Sequence, residues 1–270
     1  MTTPPESYSD VLARIQAAIE EARQVFSRFT PGQTASRYKG INDPVTEADH
    51  AVDAVLRKNL LRDGEGWLSE ESKDDLARLR CERVWIVDPL DGTREFVDGI
   101  PEFCVSIAYV EHGQPVAGGI CNPATGEVFL GSIASGLLYN GSPARVSQRC
   151  SLEGASVLAS RSEIKRGEWK AFQGAPFKVV PTGSVAYKLA RVAAGLADIT
   201  FTLTPKHEWD VAAGAALVLG GGGCVQTLDR SALRCNRKDP LISGLIACSP
   251  PVKDALLQFL SSHLQPAGRP

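Results

Sequence analysis

No stretch of this 270-residue chain stays apolar long enough to cross a bilayer, which excludes a helical membrane span. Its 29 basic and 31 acidic residues leave a formal charge of -2, so no charge excess marks a nucleic-acid or membrane partner. The seven cysteines are an odd set with no CxxC pair, which argues against a disulfide framework and for reduced thiols in a cytoplasmic setting. They read as small buried residues or idle thiols. The four histidines, His50, His112, His207 and His263, lack HxxH spacing, so a zinc site is not expected. His207 reads as a surface residue. The opening "MTTPPESYSD" has neither the basic nor the apolar region of a signal peptide. Repeats and low-complexity tracts are missing as well. What is there is 43% hydrophobic and 22% charged, a globular composition long enough for one large or two ordinary domains.

Apolar residues at Val11, Ile15, Ala18, Ile19, Ala22, Val25, Phe26 and Phe29 keep helical spacing over 8–29, and Pro31-Gly32 ends the run. After a loop at "GINDP", a second helix has Thr46 as N-cap, Glu47 and Asp49 in its first turn, and Val52, Val55, Leu56 and Leu60 on its buried face. Strands are expected at 84–87, 104–110, 116–121 and 128–131, the last three as an antiparallel meander. The polar stretch 140–154 marks a boundary between domains at 1–145 and 146–270. The second half alternates strand and helix at 157–160, 185–194, 198–201, 211–219, 224–228, 245–248 and 252–263, an α/β layer. The glycines at 220–223 read as a helix C-cap and tight turn.

The stretch "WIVDPLDGTREF" ends an apolar strand on two aspartates, Asp88 and Asp91, with Pro89 between them and Gly92-Thr93 behind. Alone it would be an ordinary turn. Other carboxylates, however, stand at other element ends: Glu70 and Glu71 in "WLSEES", Asp210 after Trp209 in "EWDVAAG", and Asp49 in "TEAD". If they converge they repel, and a hard cation such as Mg2+, which takes carboxylate, carbonyl and water oxygens, resolves the repulsion. Two rival motifs fail on the letters. "DPLDGTREFVDG" lacks the acids of an EF-hand loop, and an aspartyl-phosphate "DxDGT" would need its nucleophile where Pro89 stands. By itself Asp49 reads as a helix cap, Glu71 as a supporting or solvated carboxylate, and Trp209 as packing that positions Asp210.

Taken together, "DPVTEAD", "LSEES", "WIVDPLDGTREF", "GSVAYKLARVAAGLAD" and "EWDVAAG", in that order from Asp43 to Gly214, resemble the lithium-sensitive, magnesium-dependent phosphatase superfamily of inositol monophosphatases, fructose-bisphosphatases and bisphosphate nucleotidases. The resemblance implies a layered α-β-α-β-α sandwich with its site between the two halves. It implies about two or three Mg2+ ions held by Glu70, Asp88, Asp91, Asp210 and the carbonyl of Leu90. Thr93, oriented by Asp49, would activate the attacking water, with Glu70 also in the catalytic set. Asp91, Gly92, Thr93, Gly183, Ser184 and Asp210 would contact the substrate. Lithium inhibition and a homodimer are implied in the same way. Elementary chemistry is consistent with these roles. Pro89 restrains Asp88, and Gly92 lets the backbone approach a phosphate. A helix opening behind Asp91 would turn the amides of Gly92 and Thr93 toward an anion. The Thr93 hydroxyl has too high a pKa to be a base alone, so a bond to Asp49 would make it a proton relay.

Within the superfamily, "REF" at 94–96, "LSEE", "ASRSE", Lys188 in "GSVAYK" and "RCNRKDP" look like the nucleotidase branch typified by CysQ, which acts on 3'-phosphoadenosine 5'-phosphate (PAP). Arg161 and Lys188 would suit the second phosphate. The chain departs from that branch at Glu163, often His, and at Asp43, often Ser. The expected reaction is hydrolysis of the 3'-phosphate of PAP to AMP. An inositol-1-phosphatase or broad sugar-phosphate phosphatase is the second reading, and a non-catalytic metal-binding scaffold the reading from another class.

Overall fold

A computed structural model of the chain describes residues 7–40 and 43–263. Residues 1–6, positions 41 and 42 of the expected loop, residues 264–270 and the side chains at 38–40, Asp43 and Pro44 lie outside the described residues. Helix α1 (Tyr8–Phe26) opens on Ser7, whose hydroxyl accepts the Asp10 amide, and stops a turn short of Phe29. Strands β1 (Ser36–Gly40) and β2 (Asp43–Thr46) pair antiparallel and lead into α2 (Glu47–Leu60). The first large sheet follows: β3 (Gly66–Ser69), β4 (Arg83–Asp91), β5 (Cys104–Glu111), β6 (Gln114–Asn122), β7 (Glu127–Ser132), β8 (Gly136–Tyr139) and β9 (Ser142–Ala144). Its strands lie in chain order, β3 parallel to β4 and the rest antiparallel. A short α3 (Thr93–Val97) leaves the end of β4.

The second half supplies β10 (Ser156–Ser160), α4 (Arg161–Arg166), β11 (Lys178–Thr182), α5 (Val185–Ala193), β12 (Ile199–Phe201), β13 (Lys206–His207), α6 (Glu208–Gly220), β14 (Cys224–Thr227), β15 (Leu241–Ile242), β16 (Leu245–Cys248) and α7 (Pro250–His263). Five of these strands form the second sheet, in the order β11-β10-β12-β16-β14.

Side chains of β4 alternate between faces, as pleating requires. Trp85 and Val87 join the core under α1 and α2, while Val84 and Ile86 join the one under α5 and α6. That second core also takes Leu245 and Ala247 from β16, so α5 and α6 lie between the two sheets. Small residues let them pack closely: a Cβ on Gly214 would stand 2.3 Å from Leu189 Cβ. Val252, Leu256 and Leu260 of α7 cover the far side of the second sheet with Val157, Ile199 and Phe201. The result is the layered α-β-α-β-α sandwich.

Several elements differ from the sequence reading. β4 runs on through Asp91 instead of ending at Val87. β3, β8 and β9 went unread because three or four residues show no clear period, and β11 because "KVVPT" carries a proline and exposed valines, the marks of its place at a sheet edge. The stretch expected to separate domains begins with β9, which still belongs to the first sheet. The glycines at 220–223 act as expected: Gly221 caps α6 and Gly222 turns at φ 79°. All seven cysteines are free thiols. Among the described residues no helix is long and apolar enough to cross a membrane.

Candidate active site

Strand register brings the scattered acids together. Ser69 of β3 lies opposite Val87 of β4, so Glu70, the first residue past the end of β3, comes out beside Asp88, which continues β4. The Glu70 amide donates to the Val87 carbonyl at 3.4 Å. Across the other edge of β4, Asp88 pairs with Ser106 and Asp91 with Cys104, so three steps on β4 match two on β5. Residues three apart on a regular strand face opposite ways. The irregularity at Pro89-Leu90 adds the extra residue and returns Asp91 to the face of Asp88.

That face looks onto the N-termini of α5 and α6. Ser184, the N-cap of α5 at φ 54°, donates its hydroxyl to Asp91 Oδ2 at 2.7 Å, and the Ala186 amide reaches the same oxygen at 2.6 Å. Asp210, in the first turn of α6, accepts the His207 amide on Oδ2 at 2.8 Å. Ligand-capable oxygens of Asp88, Asp91 and Asp210 then lie within 4.8 Å of one another. Glu70 is outside that triad, yet its charge bears on both Asp88 and Asp210.

The electrostatic cost of this gathering is visible. Burial, then the charges of Glu70, Asp91 and Asp210, push the Asp88 carboxyl well above the ordinary carboxylate range. Burial with Asp91 and Glu70 does the same to Asp210. Asp91 is also raised by burial, but the bonds from Ser184 and Ala186 and the nearby ammonium groups of Lys188 and Lys206 counter part of it.

Thr93 and Asp49 meet as the resemblance implies. The Thr93 hydroxyl lies 3.2 Å from Asp49 Oδ1 and 3.0 Å from the Leu90 carbonyl, two acceptors for one proton. Asp49 is also the cap it was read as: Oδ2 accepts the Thr46 amide at 2.8 Å in a capping box. Burial raises its carboxyl above the ordinary value despite those bonds. The glycine at 92 has a different reason from the one expected. It holds φ 98°, and a Cβ there would meet the Glu102 carbonyl at 3.0 Å and Phe103 Cα at 3.2 Å. The protein behind it, not only a ligand before it, demands glycine.

These groups, Asp49 excepted, border a cleft of about 380 Å³ that also takes in Gly183, Ser184 and Lys188. Lys188 is buried, its Nζ donating to the Ser184 carbonyl at 2.7 Å, and burial lowers its pKa. Its charge favours the ionised form of Asp91, and its bond ties down the Ser184 carbonyl at the start of α5. Arg161 is placed differently from the sequence reading. Its guanidinium clamps Glu102 with bonds of 2.6 and 2.8 Å and does not line the cleft. Glu102 in turn takes the Gly183 amide at 2.6 Å, so Arg161 reaches the site only through that carboxylate. The cleft's cationic lining is instead Arg94, Arg166, Lys188 and Lys206. Lys206 and Arg166 carried no sequence signal. "RCNRKDP" is absent from the lining; the amides of Asn236 and Arg237 hold buried Glu208 at 2.6 and 2.9 Å. His207 is half-buried and stacks on Trp209 at 4.3 Å, not a surface residue. Glu71 is not solvated: its side chain is 2% exposed, 3.6 Å from His50 Nδ1. A larger hollow of about 460 Å³ behind Phe96 and Phe103 has none of these acids.

The triad is entirely carboxylate, the hard oxygen set that suits Mg2+, and a divalent charge would relieve the repulsion that raises Asp88 and Asp210. The residues present therefore fit that ion.

Known proteins agree with the geometry. The inositol monophosphatase family description matches residues 6–265. An inositol-1-monophosphatase of Mesorhizobium japonicum is 33% identical over 261 residues, covering 93% of this chain and 95% of its own. A 3'-phosphoadenosine 5'-phosphate phosphatase of Mycobacterium bovis is 34% identical over 231 residues, 81% of this chain and 83% of its own. The solved structure of a Thermotoga maritima IMPase superposes with a TM-score of 0.81, covering 94% of this chain and 98% of its own at 26% identity. The fold is the layered one of that family. The chain belongs to the inositol monophosphatase family.

Proposed function

We propose that the chain is an Mg2+-dependent phosphomonoesterase that removes the 3'-phosphate of PAP and leaves AMP. The observation that carries this reading is the meeting of Asp88, Asp91 and Asp210 within 4.8 Å in a cleft also lined by Thr93, whose hydroxyl meets buried Asp49 at 3.2 Å. Glu70, Asp88, Asp91, Asp210 and the Leu90 carbonyl would hold the metal. Bound Mg2+ supplies charge neutralisation at the ester and makes water more acidic. Residues 1–145 bring most of these ligands and residues 146–270 bring Asp210 and the Ser184 cap, the division of labour we propose for the two halves.

The remaining steps belong to the chain's own groups. As water attacks the phosphorus and the P–O3' bond breaks, the water's proton passes to Thr93 Oγ1 while the Thr93 proton moves to Asp49 Oδ1, and the leaving 3'-oxygen of AMP takes a proton from solvent water. The raised carboxyl of Asp49 favours that acceptance. The first amides of α3 have no acceptor within the helix and border the cleft, suited to the ester's oxygens.

A second reading keeps the chemistry and changes the ester. Relatives named for inositol 1-phosphate and for PAP are 33% and 34% identical to this chain, which favours neither strongly. Comparing kcat/KM for PAP, inositol 1-phosphate and fructose 1,6-bisphosphate at one Mg2+ concentration tests the choice. A preference for PAP supports the nucleotidase reading, and a preference for inositol 1-phosphate replaces it. No phosphate release from any of the three, with or without Mg2+, would leave a metal-binding scaffold instead.

A further inference from the structure

Three cations of the cleft converge on one short helix. Arg166 belongs to α4, Arg94 is tied to it by a 2.8 Å bond from Nη1 to Ser162 Oγ, and Lys206 by a 3.3 Å ion pair with Glu163 Oε1. The tether of Lys206 is built with some care. Glu163 is fully buried, its Oε2 taking Trp169 Nε1 at 3.1 Å and its Oε1 taking the Thr204 hydroxyl at 3.0 Å. Burial alone would raise this carboxyl, but Lys206 and the two bonds outweigh it and hold it below the ordinary value. The departure from the nucleotidase pattern at Glu163 thus has a structural use: it fixes an ammonium group at the cleft wall.

Lys206 keeps capacity for a ligand. An ammonium has three hydrogens. Thr204 Oγ1 at 2.9 Å and Glu163 take two, which leaves the third for the cleft. Its side chain is only 15% exposed, so a bond made there is shielded from bulk water. Its charge already reaches the acids across the cleft, opposing the rise of both Asp91 and Asp210. Arg166 engages Glu168 through Nε at 2.5 Å, so its terminal nitrogens can turn to the same ligand.

We propose that Lys206, with Arg166 and Arg94 beside it, forms a second anion subsite that takes a further phosphate on the ligand whose ester phosphate lies at the carboxylates. This rests on the phosphatase reading of the same cleft. It replaces Arg161 and Lys188, the cations that sequence alone offered for that phosphate.

The test compares PAP with adenosine 3'-monophosphate, which differ only in the 5'-phosphate, on full-length Lys206→Met, Lys206→Arg and Arg166→Gln in Mg2+. Lys206→Met should lose about tenfold more kcat/KM on PAP than on the monophosphate, a charge-assisted bond's worth, with most of the loss in KM. Lys206→Arg should recover much of the discrimination, and Arg166→Gln should show a smaller loss of the same sign. Arg166 is exposed, so its variant keeps the test open if Lys206→Met does not fold. Fructose 1,6-bisphosphate against fructose 1-phosphate tells which carrier brings the second phosphate; a selective loss in either pair supports the subsite. Equal losses on both members of each pair, or none, would overturn it and leave Lys206 as a countercharge for buried acids. Calorimetric binding of PAP and adenosine 3'-monophosphate separates the two failures. If wild type releases no phosphate, the phosphatase reading fails, while selective weakening of PAP binding by Lys206→Met still decides the subsite.

Discussion

Asp49 divides one carboxylate between Thr46 and Thr93. Oδ2 accepts the Thr46 amide and hydroxyl at 2.8 and 2.7 Å, while Oδ1 faces the Thr93 hydroxyl at 3.2 Å. The cap pins the carboxylate so that the other oxygen has a fixed direction. Asp210 repeats the device at the start of α6, with Oδ2 on the His207 amide. A helix start thus serves in both places as a mount that fixes the direction of a carboxylate.

Removing the relay without the cap should separate the two tasks. Thr93→Ala is expected to lower kcat by about a hundredfold or more, with KM and thermal stability nearly unchanged. Asp49→Ala should lose similar rate and about 1 kcal/mol or more of stability, because the cap goes as well. Steady-state kinetics beside thermal melts check both. Unchanged kcat in Thr93→Ala would dismiss the relay.

Asp88→Asn should trade activity for stability. The carboxylate is buried beside three like charges, and an amide keeps an acceptor for the Leu90 amide now bonded at 2.9 Å. Turnover should collapse, while the metal-free protein melts a few degrees higher, at about 2–4 °C per kcal/mol for a chain of this size. A lower melting point in the variant would contradict the repulsion argument.

The same groups set a pH dependence. Asp88 and Asp210 are raised in the folded state, so the fold binds their protons more tightly than the unfolded chain does. Their contribution is fully present below the ordinary carboxylate pKa and is lost as pH rises through the raised values. Glu65, Glu102 and Glu163 are lowered and act with the opposite sign, losing their contribution as pH falls. The difference between Asp88→Asn and wild type isolates the first effect. In chelator, the variant's advantage in melting temperature should grow from acid toward neutral pH. A shrinking advantage would reverse the assignment.

Gly92→Ala tests the backbone behind the site. At φ 98°, with the Glu102 carbonyl 3.0 Å from the new Cβ, the cost should be about 1–3 kcal/mol. Activity should fall too, since Glu102 holds both Arg161 and the Gly183 amide. Denaturant melts and phosphate release measure it; a variant with wild-type stability and rate would remove the conformational argument.

The sequence exposed what is local and repeated. Helix periods, the Thr46 cap, the meander of β5 to β7 and the acids at element ends all follow from neighbouring residues. It hid what depends on register and distant partners. Nothing in "DPLD" shows that a bulge puts both aspartates on one face, and nothing in "WLSEES" shows that its first residues pair beside β4. Arg161 and Lys206 are the clearest contrast. Both are cations near motif residues, yet Glu102 occupies one while Glu163 aims the other at the cleft.

Magnesium dependence tests the account most directly. Phosphate release from PAP is measured after exhaustive chelation and again after Mg2+ is restored, in wild type and in Asp210→Asn. Release should vanish on chelation, return with Mg2+ in wild type and stay absent in the variant. Release that persists in chelator, or that Asp210→Asn leaves intact, would contradict a metal centre built on these carboxylates.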